Sequence, residues 1–132
     1  MRKRVLVIED TEDNRQIIRD LLTSFDYELI EAVDGAEGVR MAQTHYPHLI
    51  LMDIQLPVMD GYEATRRIRA IPELAGVPII AVTSYALSGD EAKTREAGCD
   101  GYIAKPFSPR QLLAKIREFL PASSPPAPPG EG

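Results

Sequence analysis

Side chains suited to metal or phosphoryl chemistry stand directly after short apolar segments of the chain. They are Glu9 and Asp10 after residues 5–8, Asp53 after 49–52, Thr83 and Ser84 after 77–82, and Lys105 after 102–104. Any one of them, taken alone, is more often a cap or a turn former than a catalytic group. Carboxylates brought together, however, repel one another and need positive partners, such as a lysine and a divalent cation. The combination is typical of phosphoryl transfer.

The elements that must position these side chains follow from the spacing of apolar residues. Five short apolar or alternating segments are separated by stretches of helical length, at residues 5–8, 27–33, 49–52, 77–82 and 102–104. This pattern predicts βαβ units and one α/β domain with a five-stranded parallel sheet. The first, third and fourth segments are almost wholly apolar, as central strands are, so the others form the edges. With right-handed crossovers, the predicted order is 2-1-3-4-5, a doubly wound (βα)5 arrangement.

The helical segments differ in how strongly they are anchored. Apolar residues at spacings of three and four predict amphipathic helices over residues 17–25 and 112–120. Asp34 and Asp60 stand at expected N-cap positions, and Pro109 suits a first helical turn. The fourth helix, at about residues 87–97, is anchored mainly by alanines and one leucine. We therefore expect it to shift most easily.

The predicted strand order brings the polar side chains to one edge of the sheet. In open parallel sheets, ligands bind beyond the carboxyl ends of the strands, where the strand order reverses. Asp53 ends the most continuously apolar central strand and is the best candidate nucleophile, forming an aspartyl phosphate. Mg²⁺ would balance the acids, while Lys105 and a hydroxyl would hold phosphoryl oxygens. Gln55 cannot shuttle a proton, so the phosphoryl group should persist, which suits a signal better than turnover.

Composition and charge exclude several other classes of protein. The 132 residues include one cysteine, which rules out a disulfide framework and a multi-thiolate zinc site. The net charge of −5 argues against binding to nucleic acid or anionic lipid, and no apolar segment approaches the length of a membrane span. We expect a cytoplasmic protein with one folded domain at residues 1–121. The proline-rich residues 122–132 are predicted to be a disordered tail.

Three further features receive structural interpretations. His45 and His48 flank a proline away from the predicted edge, and we expect solvated or capping roles for them. Cys99 has no adjacent basic residue to stabilise a thiolate, so it is interpreted as a small packing residue. The third helix has a basic face that consists of Arg66, Arg67 and Arg69. We interpret this face as solvated rather than DNA-binding.

Four motifs of the chain resemble a known family. The segments IEDTEDNR, LILMDIQLPVMDGYE, AVTSYA and GYIAKPF are similar, in this order, to the signatures of the two-component response-regulator receiver domain, the CheY-like family. The resemblance covers about residues 4–120. The segments LMDIQLP and GCDGYIAKPF also resemble the DivK-type single-domain regulators. The family resemblance implies a flavodoxin-like fold and a phospho-accepting switch rather than an enzyme.

The resemblance also implies roles for the residues at the predicted edge. Asp53 would accept a phosphoryl group from a phosphohistidine. Glu9, Asp10 and Asp53, with the backbone carbonyl of Gln55, would hold Mg²⁺, with Mn²⁺ as the alternative ion. Many members carry Asp where this chain has Glu9, whose extra methylene would reach a metal-bound water as readily as the ion itself.

The switch residues are likewise implied by the resemblance. Thr83 and Lys105 would contact phosphoryl oxygens, and Tyr102 would turn inward when Thr83 moves toward the phosphate. The Lys105–Pro106 peptide bond would be cis, as is typical of this family. Tyr85 stands at a position that modulates phosphoryl lifetime, and together with the amide two residues after the phosphoacceptor it suggests slow hydrolysis.

The sequence is interpreted as a single-domain response regulator without a DNA-binding or enzymatic output domain. A sensor histidine kinase or histidine phosphotransfer protein would dock near the metal site and the first helix. The face formed by the fourth helix, fifth strand and fifth helix would bind an unidentified protein target, and the protein would be a monomer or weak homodimer. Two alternatives remain: a phosphatase or phosphotransferase, which commonly needs a second acid where Gln55 stands, and a degenerate structural receiver.

Overall fold

In the part of the chain that the structure describes, five β-strands alternate with helices. A computed structural model describes residues 3–84 and 90–120. The strands are β1 (Arg4–Ile8), β2 (Glu28–Ala32), β3 (Leu49–Asp53), β4 (Ile79–Thr83) and β5 (Gly101–Ala104). The helices are α1 (Glu12–Ser24), α2 (Gly35–His45), α3 (Gly61–Arg69), α4 (Asp90–Ala97) and α5 (Pro109–Phe119), with a short 3-10 turn at Pro72–Leu74. Tyr85, the predicted start of the fourth helix and the tail at residues 122–132 lie outside the described residues.

All four strand pairings are parallel, and the strand order is β2-β1-β3-β4-β5, which confirms the predicted topology. Every residue of β3 and β4 is buried, whereas β2 and β5 at the edges are partly exposed. In the register, Ile8 pairs with Met52, Asp53 with Val82, and Thr83 with Ala104. The carboxyl ends of the strands are therefore nearly level, so residues that follow different strands are neighbours in space.

The hydrophobic core has two halves, one on each face of the sheet. Val5 and Val7 of β1 contribute to the half that packs under α1 and α5. Leu6 and Ile8, which alternate with them, contribute to the half that packs under α2 and α3. This division follows from the alternation of side chains along a strand. Of the helices among the described residues, none has the length and apolar character needed to cross a bilayer.

The predicted helix starts are confirmed at three places. Asp34 and Asp60 are N-caps whose side chains accept hydrogen bonds from the backbone N–H groups of Glu37 and Glu63. Pro109 is the first residue of α5, and the preceding Ser108 forms a capping box with Gln111. The Asp60 cap matters for the site below, because it starts α3 soon after the end of β3.

The apolar stripe of α1 is only partly buried. Ile18 and Leu22 are at most 2% exposed, whereas Ile17 and Phe25 are 48% and 44% exposed. The stripe predicted from spacing is therefore wider than the surface that the sheet and α5 cover. Phe25 carries the guanidinium of Arg117 over its ring, 5.2 Å from the centroid.

One arginine of the predicted solvated face is structural instead. Arg66 and Arg67 are exposed and pair with Glu63, as expected of a solvated face. Arg69 is only 18% exposed and forms an ion pair with Asp100. Its guanidinium also donates to four backbone carbonyls, those of Leu74, Ala75, Val77 and Gly98. The interpretation was wrong for this residue, because sequence spacing could not show that the end of α3 faces two loops.

Candidate functional site

Asp53 lies at the carboxyl end of the central strand β3 and is 2% exposed. Its Oδ1 accepts a hydrogen bond of 2.9 Å from the backbone N–H of Gln55. Burial, together with the negative charge of Glu9, raises the pKa of Asp53 to about 6. Gly61, the first residue of α3, packs against this strand end so closely that a Cβ would collide with the backbone carbonyl of Asp53. The Asp53 carboxylate is thus fixed at the middle of the sheet edge.

Glu9 follows β1 directly and is also 2% exposed. Its Oε2 accepts hydrogen bonds from the Thr11 backbone N–H, at 3.2 Å, and from Asn14 Nδ2, at 3.4 Å. The Glu9 backbone carbonyl accepts a 2.8 Å bond from Arg15 Nη1. Sequence reasoning missed these three supporting residues, although all of them belong to the IEDTEDNR motif and its first helical turn. They hold Glu9 firmly against the start of α1.

Lys105 joins the two buried carboxylates. Its Nζ lies 3.0 Å from Glu9 Oε1 and 3.1 Å from Asp53 Oδ2. Burial alone would lower the pKa of Lys105, but the attraction of Asp53 and Glu9 outweighs it and raises that pKa. For Glu9, burial alone would raise the pKa, but the charge of Lys105 and the hydrogen bond from the Thr11 N–H outweigh burial and hold the pKa of Glu9 below its usual value. The structure therefore brings together groups that are 96 and 52 residues apart in sequence.

The site has the donor set of an oxygen-ligated cation. Carboxylate oxygens of Glu9, Asp10 and Asp53 all lie within 4.8 Å of one another. Asp10 is exposed, so solvent reaches the cluster from one side. Lys105 supplies a single positive charge to three acids, which leaves negative charge for a further cation to balance. Hard oxygen ligands at a solvent-facing edge fit Mg²⁺.

The two predicted hydroxyl residues lie at the same edge. Thr83 is the last residue of β4 and is 1% exposed. Its backbone carbonyl accepts a 2.7 Å hydrogen bond from the backbone N–H of Lys105, which ties the ends of β4 and β5 together. The next residue, Ser84, donates its backbone N–H to Oε1 of Gln55 at 3.3 Å. Gln55 is thus linked through its side chain to the end of β4 and through its backbone to Asp53.

Three further predicted residues, Tyr102, Lys105 and Pro106, lie in β5 or directly after it. The Lys105–Pro106 peptide bond is cis, as the resemblance implies. Tyr102 is half-buried in β5 and lines a groove of about 380 Å³ between α4, β5 and α5. Tyr85, the predicted modulator, lies outside the described residues.

Two of the residues set aside in the sequence, His48 and Cys99, have the structural roles expected of them. His48 is a backbone cap, since its Nδ1 accepts a 2.9 Å hydrogen bond from the backbone N–H of Arg4. Cys99 is 7% exposed, its Sγ lies 3.7 Å from Thr65 Oγ1, and burial raises the pKa of its thiol. Neither residue belongs to the acidic site.

A doubly wound parallel sheet with an acidic cluster and a lysine at its carboxyl edge fits the class of proteins that accept a phosphoryl group on an aspartate. The family model of the response regulator receiver domain matches residues 5–117. The chain therefore belongs to the response regulator receiver family of two-component systems.

Individual relatives agree with this assignment. The chain is 42% identical over 120 residues to the polar-differentiation response regulator DivK of Brucella ovis, covering 91% of this chain and 98% of DivK. Among solved structures, the receiver domain of sensor histidine kinase PA1611 from Pseudomonas aeruginosa PAO1 is 39% identical with a TM-score of 0.85, over 91% and 98% of the two chains. That structure has a magnesium ion coordinated in its active site cleft.

The likeness extends to chemotaxis proteins. Vibrio cholerae CheY4 is 28% identical, with a TM-score of 0.87 and coverage of 90% and 99% of the two chains. The CheY-like fold and the DivK-type resemblance expected from the motifs are both confirmed.

Proposed function

We propose that the protein is a phosphorelay receiver in which Asp53 accepts a phosphoryl group from a phosphohistidine. An oxygen of the Asp53 carboxylate attacks phosphorus, and the bond between phosphorus and the imidazole nitrogen breaks. The electron pair of that bond leaves with the imidazole, and the product is an aspartyl phosphate. One observation carries this proposal: the Lys105 ammonium bridges Asp53 and Glu9 at the carboxyl edge of the sheet.

The residues around Asp53 suit the charge that develops in this reaction. Lys105 lies within hydrogen-bond distance of an Asp53 oxygen, so it is close enough to reach phosphoryl oxygens bound there. Thr83 ends the adjacent strand and would supply a hydroxyl to the same oxygens. The sheet fixes the backbone positions from which these two side chains reach the site before the reaction begins, which favours electrostatic stabilisation.

A metal ion would complete the site. Glu9, Asp10, Asp53 and the backbone carbonyl of Gln55 would hold Mg²⁺, and Mn²⁺ accepts the same oxygen ligands. When bound, the ion would neutralise charge on the phosphoryl oxygens. The exposed carboxylate of Asp10 gives the ion access from solvent.

The phosphoryl group should be long-lived. The Gln55 amide cannot act as an acid or base toward an attacking water, and its side-chain oxygen already accepts a hydrogen bond from the Ser84 N–H. We propose that Gln55 and Tyr85 together shield the aspartyl phosphate and slow its hydrolysis.

The output would be a change in protein binding. Thr83 pairs with Ala104 on β5, and Tyr102 is two residues before Ala104 on the same strand. Movement of Thr83 toward the phosphoryl group would therefore alter the space open to Tyr102. Tyr102 lines the groove between α4, β5 and α5, so this face would bind a protein target differently in the two states. The upstream donor, a histidine kinase or phosphotransfer protein, would dock beside the metal site and α1 in the cytoplasm. The protein would act as a monomer or weak homodimer.

The phosphoacceptor is tested by incubation with acetyl phosphate and Mg²⁺ followed by intact-mass analysis. Wild type should gain one base-labile phosphoryl group, Asp53→Asn should gain none, and chelation of the metal should prevent the gain. Asp60→Asn is the matched control, because asparagine caps α3 as aspartate does and should leave the adduct unchanged. An adduct of equal yield on Asp53→Asn would overturn the proposal.

A further inference from the structure

Lys105 is the cation that the two buried carboxylates share. Its ammonium lies 3.0 Å from Glu9 Oε1 and 3.1 Å from Asp53 Oδ2. Both carboxylates are 2% exposed, so water screens their mutual repulsion only weakly. The ammonium is therefore the counter-ion that allows Glu9 and Asp53 to lie side by side.

Glu9 holds this counter-ion from a fixed position. Its second carboxylate oxygen accepts hydrogen bonds from the Thr11 N–H and Asn14, and its backbone carbonyl accepts one from Arg15. These contacts leave Oε1 as the carboxylate oxygen that binds Lys105. The Lys105 ammonium therefore has a fixed acceptor in Glu9 Oε1 as well as its acceptor on Asp53.

A divalent cation would require the same oxygens. Glu9 and Asp53 are two of the three acids whose oxygens converge within 4.8 Å. Two cations bound to one pair of carboxylates repel each other, so the ammonium and the metal disfavour one another there. Building on the function proposed above, we propose that Lys105 and Mg²⁺ compete for Glu9 and Asp53, and that the length of the Glu9 side chain sets the outcome.

The side-chain length at position 9 matters because the Lys105 ammonium lies only 3.0 Å from the Glu9 carboxylate. Aspartate at this position would withdraw the carboxylate by roughly 1.5 Å, the length of one carbon–carbon bond. A contact of 3.0 Å would then exceed hydrogen-bonding distance, and Lys105 would keep Asp53 alone. Glu9 is accordingly a positioning residue for Lys105. Compared with an aspartate at this position, Glu9 favours the ammonium over the metal, and it keeps the ammonium beside the phosphoacceptor until the metal displaces it.

The competition is tested by a double-mutant cycle read out as Mg²⁺ affinity. The variants are Glu9→Asp, Lys105→Met and the double variant, titrated with MgCl₂ by isothermal calorimetry, with thermal melts to establish folding. Lys105→Met should bind Mg²⁺ about tenfold more tightly than wild type, and Glu9→Asp severalfold more tightly. Removing Lys105 from the Glu9→Asp background should add about twofold or less. The control Lys115→Met removes a lysine that pairs with Glu118 on α5 and should leave the affinity unchanged.

The outcomes separate this proposal from the function on which it rests. Additive effects of the two substitutions, or unchanged or weaker binding by Lys105→Met, would overturn the competition while leaving the metal site intact. If wild type and every variant fail to bind Mg²⁺, the metal site itself is absent and the proposed function falls with it.

A second measurement uses the wild-type protein and needs no phosphorylation. Lys105 is 18% exposed and paired, so reductive methylation of its amine, followed by peptide mass spectrometry, should be slow without metal. Mg²⁺ should raise its methylation rate severalfold in wild type, and Glu9→Asp should raise it without Mg²⁺. Lys93 of α4 is exposed and serves as the internal reference. A Lys105 rate that Mg²⁺ lowers or leaves unchanged would contradict displacement of the ammonium.

Discussion

Asp53 and Glu9 are neighbouring buried carboxylates whose acidities move in opposite directions. The pKa of Asp53 rises to about 6 through burial and the charge of Glu9. The pKa of Glu9 falls because Lys105 and the Thr11 N–H together outweigh its burial. Asp53 is therefore the residue at which ionisation opposes folding of the metal-free protein. The chemistry proposed for Asp53 therefore conflicts with the stability of the fold, as is common in functional sites.

This conflict predicts that Asp53→Asn stabilises the metal-free protein at neutral pH. The folded-state pKa lies above the unfolded value of 3.8, so the stabilising contribution of the protonated carboxyl is complete below that value. It is lost as the pH rises toward about 6. The variant should gain roughly 1–3 kcal/mol over wild type above this range, since one pKa unit corresponds to about 1.4 kcal/mol.

The measurement is urea unfolding in EDTA at about pH 4.5, 5.5, 6.5 and 7.5. The advantage of the variant should grow up to about pH 6 and then stay level. A stability difference that is the same at every pH would contradict the elevated pKa of Asp53.

At the scale of elements, single side chains tie neighbouring loops together at the amino-terminal edge of the sheet. Arg69, at the end of α3, donates to the backbone carbonyls of Leu74, Ala75, Val77 and Gly98. Its ion-pair partner Asp100 also accepts the backbone N–H of Ile79, at the start of β4. At the amino-terminal edge of the sheet, His48 and Arg4 connect the loop before β3 to β1. These links hold the edge of the sheet that is remote from the acidic site.

Arg69→Met should destabilise the protein by about 2 kcal/mol, because it leaves partly buried carbonyls and Asp100 without their donor. Arg67→Met, on the same helix, removes an exposed arginine that pairs with Glu63 and should change stability by less than about 0.5 kcal/mol. Urea unfolding of both variants checks this difference. Equal effects would mean that Arg69 is no more than a surface charge.

The His48 cap should make the protein sensitive to acid. Desolvation, with the nearby charges of Arg4 and Lys3, lowers the pKa of His48 below the usual value of 6.5 for histidine. The unfolded chain therefore takes up the proton first, and the contribution of His48 is present above about pH 6.5 and lost as the pH falls through its folded-state pKa. Protonation of Nδ1 removes the acceptor for Arg4, at a cost of about 0.5–1.5 kcal/mol.

The comparison uses His48→Asn, whose amide oxygen accepts a hydrogen bond without titrating. Between about pH 7.5 and 5.5, this variant should lose less stability than wild type in urea unfolding. If His48→Asn and wild type show the same pH dependence, protonation of His48 does not contribute to the acid sensitivity.

Across the whole molecule, stability should be unevenly distributed. The central strands β1, β3 and β4 are covered on both faces, while the described part of α4 buries only Thr94 and Ala97. Opening of α4 therefore exposes little apolar surface. This helix also borders the groove that contains Tyr102, so the least anchored helix lies where the proposed switch must act.

Amide hydrogen exchange should show this gradient. Backbone amides of α4 should exchange at least tenfold faster than those of α1 and α5, and β3 should be the slowest region. The measurement is exchange followed by peptide mass spectrometry on the unphosphorylated, metal-free protein. Protection of α4 equal to that of α5 would show that its few buried side chains anchor it as firmly as the larger apolar face of α5.

The amino-acid sequence by itself determined the architecture and most of the chemical parts of the site. Continuous apolar segments marked β1, β3 and β4 as central, because a strand covered on both faces is made almost wholly of apolar residues. The start of β4 was misplaced by two residues, since residues 77 and 78 are apolar but precede the strand. Asp53 and Lys105 were identified from their positions after strands, because parallel strands expose their carboxyl ends at one edge.

Only the tertiary structure decided which groups touch. Sequence could not show that Lys105 divides its hydrogen bonds between Glu9 and Asp53, because these distances depend on the register of three strands and on a loop. It also could not separate Arg69 from the solvated Arg66 and Arg67, which share its helix and its charge. Contacts between residues distant in the chain are set by packing, and local periodicity contains no information about them.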